Sequence, residues 1–404
     1  VDEAVLQAFA STLGPLAGEG LTLLAVGGYG RRELFPFSDV DLLLLVKRTV
    51  QEADIKAPVA EFLRILWDSG LRVSQSVRTV DDCCHVHEGN FELTVSLLDE
   101  RMLAGDPVFY GHLRERFAKF LRADQRDLER RLCRMARARQ TKYHDTIYRL
   151  EPDIKEAPGG MRDWQTTRWL RRLRGADAAD DPRPAEFLSS ARCFLHFRAG
   201  RDANLLNFEA QDEICAASFS PWTEPAEWMR NYYRHANVIY RRALFELESA
   251  ESHDKPLLSG FRDWRARLSN SEFTVSRDLV FVRNPHELGA DAQLPLRLFR
   301  FVAKHGIPLA RQTEQRLTAV TGHAASAGAA FWREFLSQPH AVAGLRSMSA
   351  TGYLTAVLPE WEKIDHLVVR DFYHQYTVDE HTLVALEVLE ELAMSEAPEK
   401  KRFA

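Results

Sequence analysis

The stretch Leu21–Val46, LTLLAVGGYGRRELFPFSDVDLLLLV, decides the fold. Leu21–Val26 is a compact apolar run of strand length, and Asp39–Val46 is a second. Between them lies Gly27-Gly28-Tyr29-Gly30. The missing Cβ atoms permit positive φ there and let a backbone or a phosphate approach closely. The spacing predicts a short helix starting over Arg31–Leu34, with its free N–H groups facing the turn, which is a natural phosphate site. In the second strand Asp39 and Asp41 project to one face, while Val40 and Leu42 project to the other, into the core. Two neighbouring carboxylates repel unless a cation lies between them, and Mg²⁺ with triphosphate oxygens is the usual solution. A Gly-Gly turn or an Asp-x-Asp alone is most often a solvated turn. Flanked by apolar strands on both sides, the pair reads as a metal-dependent phosphate site.

Working outward, residues 1–20 read as an amphipathic helix ending in the Gly14–Gly20 breaker region. Val59–Trp67 has helical spacing, and Leu71–Thr79 alternates as a strand. Strand and helix therefore mix through about residue 110, an α+β or α/β pattern. From Arg114 to Glu251 the pattern turns helical and Arg-rich. A loop holding Glu151–Lys155 and Pro158–Asp163 interrupts it, and Asp177–Pro184 marks a second break. Phe273–Val282 reads as a β-hairpin, and 295–404 as helical again.

The chain has 404 residues, enough for two or three domains at roughly 150 residues each. With 45% apolar and 27% charged residues it is in the globular range. A net charge of −5 argues against a protein built to coat nucleic acid. No apolar run approaches the ~18 residues of a membrane span, and no basic-then-apolar leader opens the chain. Five cysteines, an odd number, do not form a disulfide framework. These features predict a soluble, cytoplasmic protein with no membrane and no nucleic-acid partner. The opening at Val1 and the charged close at Glu396–Arg402 suggest a piece of something longer.

The string Gly27–Leu34 followed by Ser38-Asp39-Val40-Asp41 resembles the signature of the polymerase-β-like nucleotidyltransferase superfamily. GGYGRRELFPFSDVDLL more specifically resembles the bifunctional uridylyltransferase/uridylyl-removing enzymes of nitrogen signalling, the GlnD family. LEPDIKEAPGGMRD at 150–163, Ser76–Thr79 with Arg101–Asp106, and YTVDEHTL at 376–383 resemble further motifs of that family, in the same order. The resemblance implies an α+β fold: a nucleotidyltransferase domain over 1–110, a helical domain over 111–255 and a hairpin-plus-helix linker over 256–365. The start of a truncated His-Asp phosphohydrolase domain would follow over 366–404. It implies Mg²⁺-dependent transfer of UMP from UTP to a tyrosine of the signalling protein PII. Asp39 and Asp41 would be catalytic and hold the metal, and Gly27, Gly28, Arg31 and Ser38 would bind nucleotide. Lys155 and Arg162 would contact phosphates or the PII surface.

A third carboxylate often completes such sites, and Leu71–Thr79 carries no acid, so Glu92 and Asp99 are its candidates. His381 fits the first metal ligand of a His-Asp hydrolase, but no histidine and no His-Asp pair follow it in 382–404. Uridylyl removal is therefore not expected, and glutamine control should be weak without the family's sensing domains. The earlier His144-Asp145 and His253-Asp254, the former in a helical segment, read as surface pairs. Cys83-Cys84-His85-Val86-His87 reads as a helix start with reduced thiols, because adjacent cysteines bite a zinc ion poorly. Arg126, Arg130, Arg131, Arg134, Arg137 and Lys142 stripe one helix, with Asp127 and Glu129 at hand as partners. A functional version would place part of that stripe over UTP or over PII. Phe194–Phe208, with His196, Arg198, Arg201 and Asn204, has helical spacing, and its polar residues read as a satisfied face. Trp164, Trp169, Trp222, Trp228 and Trp264 read as core anchors. The rival functions are adenylylation by the same site and a non-catalytic PII-docking module. A stand-alone phosphohydrolase is disfavoured.

Overall fold

A computed structural model describes the chain except for residues 51, 87–90, 177–179, 218–220, 255–266, 277, 370–374 and 395–404. His87, Trp264, part of the Asp177–Pro184 break, the start of the 256–365 linker and the end of the 366–404 segment lie outside the described residues. So do the side chains of His253 and Asp254. Among the described residues the fold is α+β, with two small sheets and helices making up most of the rest. It divides into two compact units. The first holds 1–142, 153–156 and 160–205, and the second holds 143–152, 157–159 and 206–404.

The first unit opens with α1 (Asp2–Thr12), β1 (Leu21–Ala25), α2 (Gly27–Gly30), β2 (Val40–Val46), α3 (Glu52–Asp68) and β3 (Val73–Arg78). It continues with α4 (Val80–Cys83), α5 (Phe91–Leu97), β4 (Arg101–Gly105), α6 (Pro107–Ala123), α7 (Gln125–Lys142), α8 (Met161–Leu173) and α9 (Arg183–Ala199). The strands form one sheet in the order β3-β2-β1-β4. β1 pairs antiparallel with both β2 and β4, whereas β2 and β3 run parallel. A parallel pair needs a crossover, and α3 supplies it. Every residue of β1 is buried, so this central strand is apolar almost throughout. One face packs Leu21, Leu23, Val40, Leu42 and Leu44 against Val5, Ala8 and Phe9 of α1 and Ile55, Phe62, Leu63 and Leu66 of α3. Both helical sets follow the i, i+3, i+4, i+7 rule for a single apolar stripe.

Several boundaries differ from the sequence reading. α3 starts at Glu52, before Val59, because Pro58 in its second turn removes one N–H donor without ending the helix. α9 stops at Ala199, where Gly200 takes φ 63° and caps it, so the helix does not reach Phe208. His144 and Asp145 are not helical: α7 ends at Lys142, and the two residues follow at φ 63° and 53°.

The second unit contains α10 (Phe208–Ala216), the long α11 (Pro225–Asp254), and the antiparallel hairpin β5 (Phe273–Ser276) and β6 (Leu279–Val282). After these come α12 (Glu287–Ala290), α13 (Leu294–His305), α14 (Arg311–Val320), α15 (Ala329–Leu336), α16 (Ala341–Ala350), α17 (Tyr353–Val357) and α18 (Val378–Met394). Phe273, Val280, Phe299, Val302, Phe335, Met348, Tyr353 and Leu383 share its core. Among the described residues no helix is long and apolar enough to cross a membrane.

Gly30 fixes how closely α2 packs. A Cβ there would lie 1.9 Å from the carbonyl oxygen of Asp99 and 2.9 Å from that of Ala25. Both obstacles are backbone and cannot swing away. Gly30→Ala should therefore cost about 1–3 kcal/mol, the range for overpacking, and lower the thermal midpoint by several degrees. Gly111→Ala in α6, whose Cβ meets nothing within 4 Å, should leave it unchanged or slightly raised.

Candidate active site

β1 delivers the chain directly into α2, so the helical turn is the Gly27–Gly30 segment itself and not Arg31–Leu34 as the spacing predicted. Val26 is extended, Gly27 takes φ 56°, and the turn closes through Gly30 N–H to Val26 O at 3.1 Å. The reason lies in Arg31. Its guanidinium turns inward, with Nη1 donating to Asp99 Oδ2 at 2.5 Å and Nε donating to Glu33 Oε2 at 2.7 Å. Arg32 and Phe37 follow with φ 62° and 59°, conformations a continuing helix cannot hold.

Gly27 and Asp41 are neighbours. A Cβ on Gly27 would stand 3.2 Å from Asp41 Oδ2, so the glycine keeps that carboxylate face clear. Val26 N–H donates to Asp41 O at 3.1 Å and holds the turn against β2. Val40 and Leu42 are each only 2% exposed, as the alternation required. Asp39, just before the strand, is exposed and lies 3.0 Å from Arg72 Nε. Asp41 is more enclosed. Burial, and after it the charge of Asp39, push its carboxyl above the usual range, partly offset by Arg31 and Lys155.

These residues line a cleft of about 590 Å³. Gly27, Gly28, Arg31, Ser38, Asp39, Asp41, Lys155 and Arg162 all border it. The loop bearing Lys155, which leads into Arg162 in the first turn of α8, is shaped by Asp153, whose Oδ1 accepts the N–H groups of Lys155 at 2.9 Å and Glu156 at 2.8 Å. Ile154 N–H donates to Asn204 O at 2.9 Å, and Arg162 N–H to Lys155 O at 2.9 Å. Arg162 then reaches Gln165 Oε1 at 2.8 Å and stacks 5.8 Å above the Trp169 ring.

Of the two further acids, Glu92 is exposed and borders the cleft. Asp99 is neither a surface acid nor an open ligand. It is 5% exposed, and its carboxylate accepts from Arg31, from Trp169 Nε1 at 2.7 Å and from Arg172 Nη1 at 3.0 Å. Sequence reading missed Arg139, Arg192 and Asp202, which also line the cleft. Arg139 donates to Glu156 O at 2.5 Å and to Asp163, on the α7 face that carries Met135 and Ala136. Arg192 stacks 4.1 Å over Phe35. Burial works against the charge of Asp202, but Lys155 and Arg192 outweigh it and hold the carboxyl below its ordinary range. The arginine stripe behaves as expected where Arg130 and Arg131 pair with Asp127 at 3.2 and 2.6 Å. His196, fully buried against Pro36 O, and Asn204, which accepts from Arg192 at 2.7 Å, are satisfied as expected.

His381 belongs to the second unit and lies on the exposed face of α18. The Cys83–His85 segment does not start a helix but ends one: α4 begins after Thr79, capped through a reciprocal Thr79–Asp82 box, and closes at Cys83 with Cys84 as its C-cap. Burial pushes the Cys83 thiol up to about 12. Trp164, Trp169 and Trp228 are core residues.

A family profile described as GlnD PII-uridylyltransferase matches residues 126–183 and 171–244. Bifunctional uridylyltransferase/uridylyl-removing enzymes align along nearly the whole chain. That of Azospirillum brasilense is 31% identical over 95% of this chain and 45% of its own length. That of Photobacterium profundum is 32% identical over 90% and 44%, and that of Aromatoleum aromaticum 29% over 93% and 46%. The chain belongs to the PII-uridylyltransferase family. It spans about half the length of the curated relatives it matches. The profile matches the part that brings Arg139, Lys155, Arg162, Trp169, Arg192 and Asp202 to the cleft, whereas Gly27–Asp41 precedes it.

The raised Asp41 carboxyl sets a pH-dependent stability term. A folded-state value above the unfolded one means the charged form opposes folding. That penalty is absent below about pH 3.8, where both states are protonated, and is complete once pH passes the raised value. In EDTA at pH 7.5, Asp41→Asn should therefore raise the thermal midpoint, and the gain should vanish at pH 3.5. A melting series across that range checks the sign.

Proposed function

We propose that this cleft transfers UMP from UTP to a tyrosine hydroxyl of PII, with Mg²⁺ held by Asp39 and Asp41. The observation that carries the reading is the meeting, in one cleft, of the Gly27-Gly28 turn, the Asp39/Asp41 pair, and the Lys155 and Arg162 side chains. The donor set suits a hard divalent cation: two carboxylates, of which Asp41, raised by burial and then by its neighbour's charge, faces a glycine that leaves room. When bound, the metal would neutralise charge on the α-phosphate and on departing pyrophosphate.

The chain's own residues do the rest. The Gly27-Gly28 turn would offer backbone N–H groups to phosphate oxygens. Lys155, from the loop, and Arg162, from the first turn of α8, supply positive charge, and Arg31, locked by Asp99 and Glu33, holds the turn in place. In the transfer the tyrosine oxygen forms a bond to the α-phosphorus, the bond to the bridging oxygen of the β-phosphate breaks, and pyrophosphate leaves. The tyrosine proton passes to solvent or to a carboxylate of the pair. Of the two acids expected to complete the set, Glu92 borders the cleft, whereas Asp99 is engaged by Arg31, Trp169 and Arg172.

Intact-mass spectrometry of PII after incubation with this chain, Mg²⁺ and each nucleoside triphosphate separately tests the reading. One UMP mass should be added per modified PII subunit, with UTP only, and Asp41→Ala should lose at least a hundredfold in rate. Addition of AMP instead would assign an adenylyltransferase. No addition with any nucleotide would leave a docking module and remove the catalytic role of Asp39 and Asp41.

A further inference from the structure

Away from the cleft, the second unit brings together three side chains of the kind that hold metal. Asp365, His366 and Asp379 each offer one ligand atom, and these atoms all lie within 4.8 Å of one another. Backbone pairing makes the juxtaposition. Val378 N–H donates to Leu367 O at 2.9 Å, which lays the 364–367 segment against the first turn of α18 and places His366 beside Asp379. The imidazole is fixed from the side by Tyr148, whose ring lies 5.2 Å away and 25° from parallel, and by Tyr233 at 6.2 Å.

Two features single this cluster out. His366 is 8% and Asp379 2% exposed, yet His366 Nδ1 and Asp379 Oδ1 have no hydrogen-bond partner among the described residues. Leaving such atoms bare in the interior costs stability unless something outside the chain satisfies them. His366 also takes φ 53°, a strained conformation for a residue with a side chain, of the sort that persists where it serves a site. The geometry is not that of a closed ion pair. His366 Nδ1 stands 3.4 Å from Asp379 Oδ2, whereas a charge-assisted pair closes to about 2.7–2.9 Å. Two ligands sharing one metal at bonds near 2.0–2.2 Å stand about 3–3.5 Å apart. Asp365 lies on the outer side and lines, with His366, a cavity of about 260 Å³ where water could fill the remaining positions.

We propose that Asp365, His366 and Asp379 form a divalent transition-metal site, one imidazole and two carboxylates, with its open side toward that cavity. An imidazole among the donors favours Zn²⁺ over Mg²⁺ or Ca²⁺, which take oxygen ligands. The two carboxylates carry the negative charge that a divalent ion neutralises. Bound metal would tie the 365–366 segment to the start of α18. The site is independent of the transferase reading and does not use His381.

The test is zinc binding by the full chain carrying Asp39→Asn and Asp41→Asn, so that the cleft carboxylates do not contribute. One equivalent of Zn²⁺ should remain after desalting, measured by elemental analysis, and the thermal midpoint should rise on loading. His366→Gln should abolish retention. Asp365→Asn, on the accessible side, should leave the metal-free melt unchanged and weaken zinc affinity at least tenfold by titration calorimetry. It keeps the test decisive if the buried variant misfolds. No retained zinc, or retention and affinity that neither variant alters, would overturn the site. Loss of zinc in His381→Ala but not in His366→Gln would overturn the ligand set.

Discussion

The carboxylate of Asp99 holds the first unit's cleft together. It follows α5, is almost fully buried, and accepts hydrogen bonds from Arg31, Trp169 and Arg172. Arg31 leaves the glycine turn at the end of β1, whereas Trp169 and Arg172 sit on α8. One buried acid therefore ties the turn of the sheet to a helix that comes far later in the chain. Removing one partner of a buried pair costs about 3–5 kcal/mol, because the other charge stays behind uncompensated. Trp169 extends the tie. Arg31 lies 5.9 Å and Arg162 5.8 Å from its ring, so the arginine that follows the glycine turn and one from the first turn of α8 meet a single aromatic platform.

The charge balance of the cleft follows from that scaffold. Among the described residues five cations border it, Arg31, Arg139, Lys155, Arg162 and Arg192, against six carboxylates: Glu33, Asp39, Asp41, Glu92, Glu156 and Asp202. Most of the cations are already engaged: Arg31 by Asp99 and Glu33, Lys155 by Asp202 at 3.7 Å, and Arg162 by Glu156 at 3.3 Å. A bare triphosphate therefore meets a wall that is slightly negative overall. On this account, a nucleotide enters only when divalent cations cover the Asp39/Asp41 pair.

What the sequence made legible was local. The apolar runs fixed β1 and β2, and the period of two placed Asp39 and Asp41 on the face opposite Val40 and Leu42. The eight transferase-site residues named from the glycine turn, the aspartates and the 150–163 motif all border one cleft. The helix start was misplaced because Arg31–Leu34 looks helical by composition, whereas the inward pull of Asp99 on Arg31 ends the turn at Gly30. Asp99 itself was read by its position among acids, and no pattern announces that three donors from distant segments converge on it. Arg139 and Arg192 were missed for the same reason. Each sits in an ordinary Arg-containing helix, and only packing decides which face meets the cleft. The Asp365/His366/Asp379 cluster was equally silent, since Asp365-His366 is an ordinary adjacent pair and only packing brings Asp379 beside it.

The central claim is that Asp39 and Asp41 admit a nucleotide only together with a divalent cation. Titration calorimetry of a non-hydrolysable UTP analogue into the chain, with Mg²⁺ and then with EDTA, tests it most directly. The account predicts saturable binding with Mg²⁺ and at least a hundredfold weaker binding in EDTA. Equal affinity in both conditions would contradict it and place the phosphate contacts on the arginines and the lysine alone.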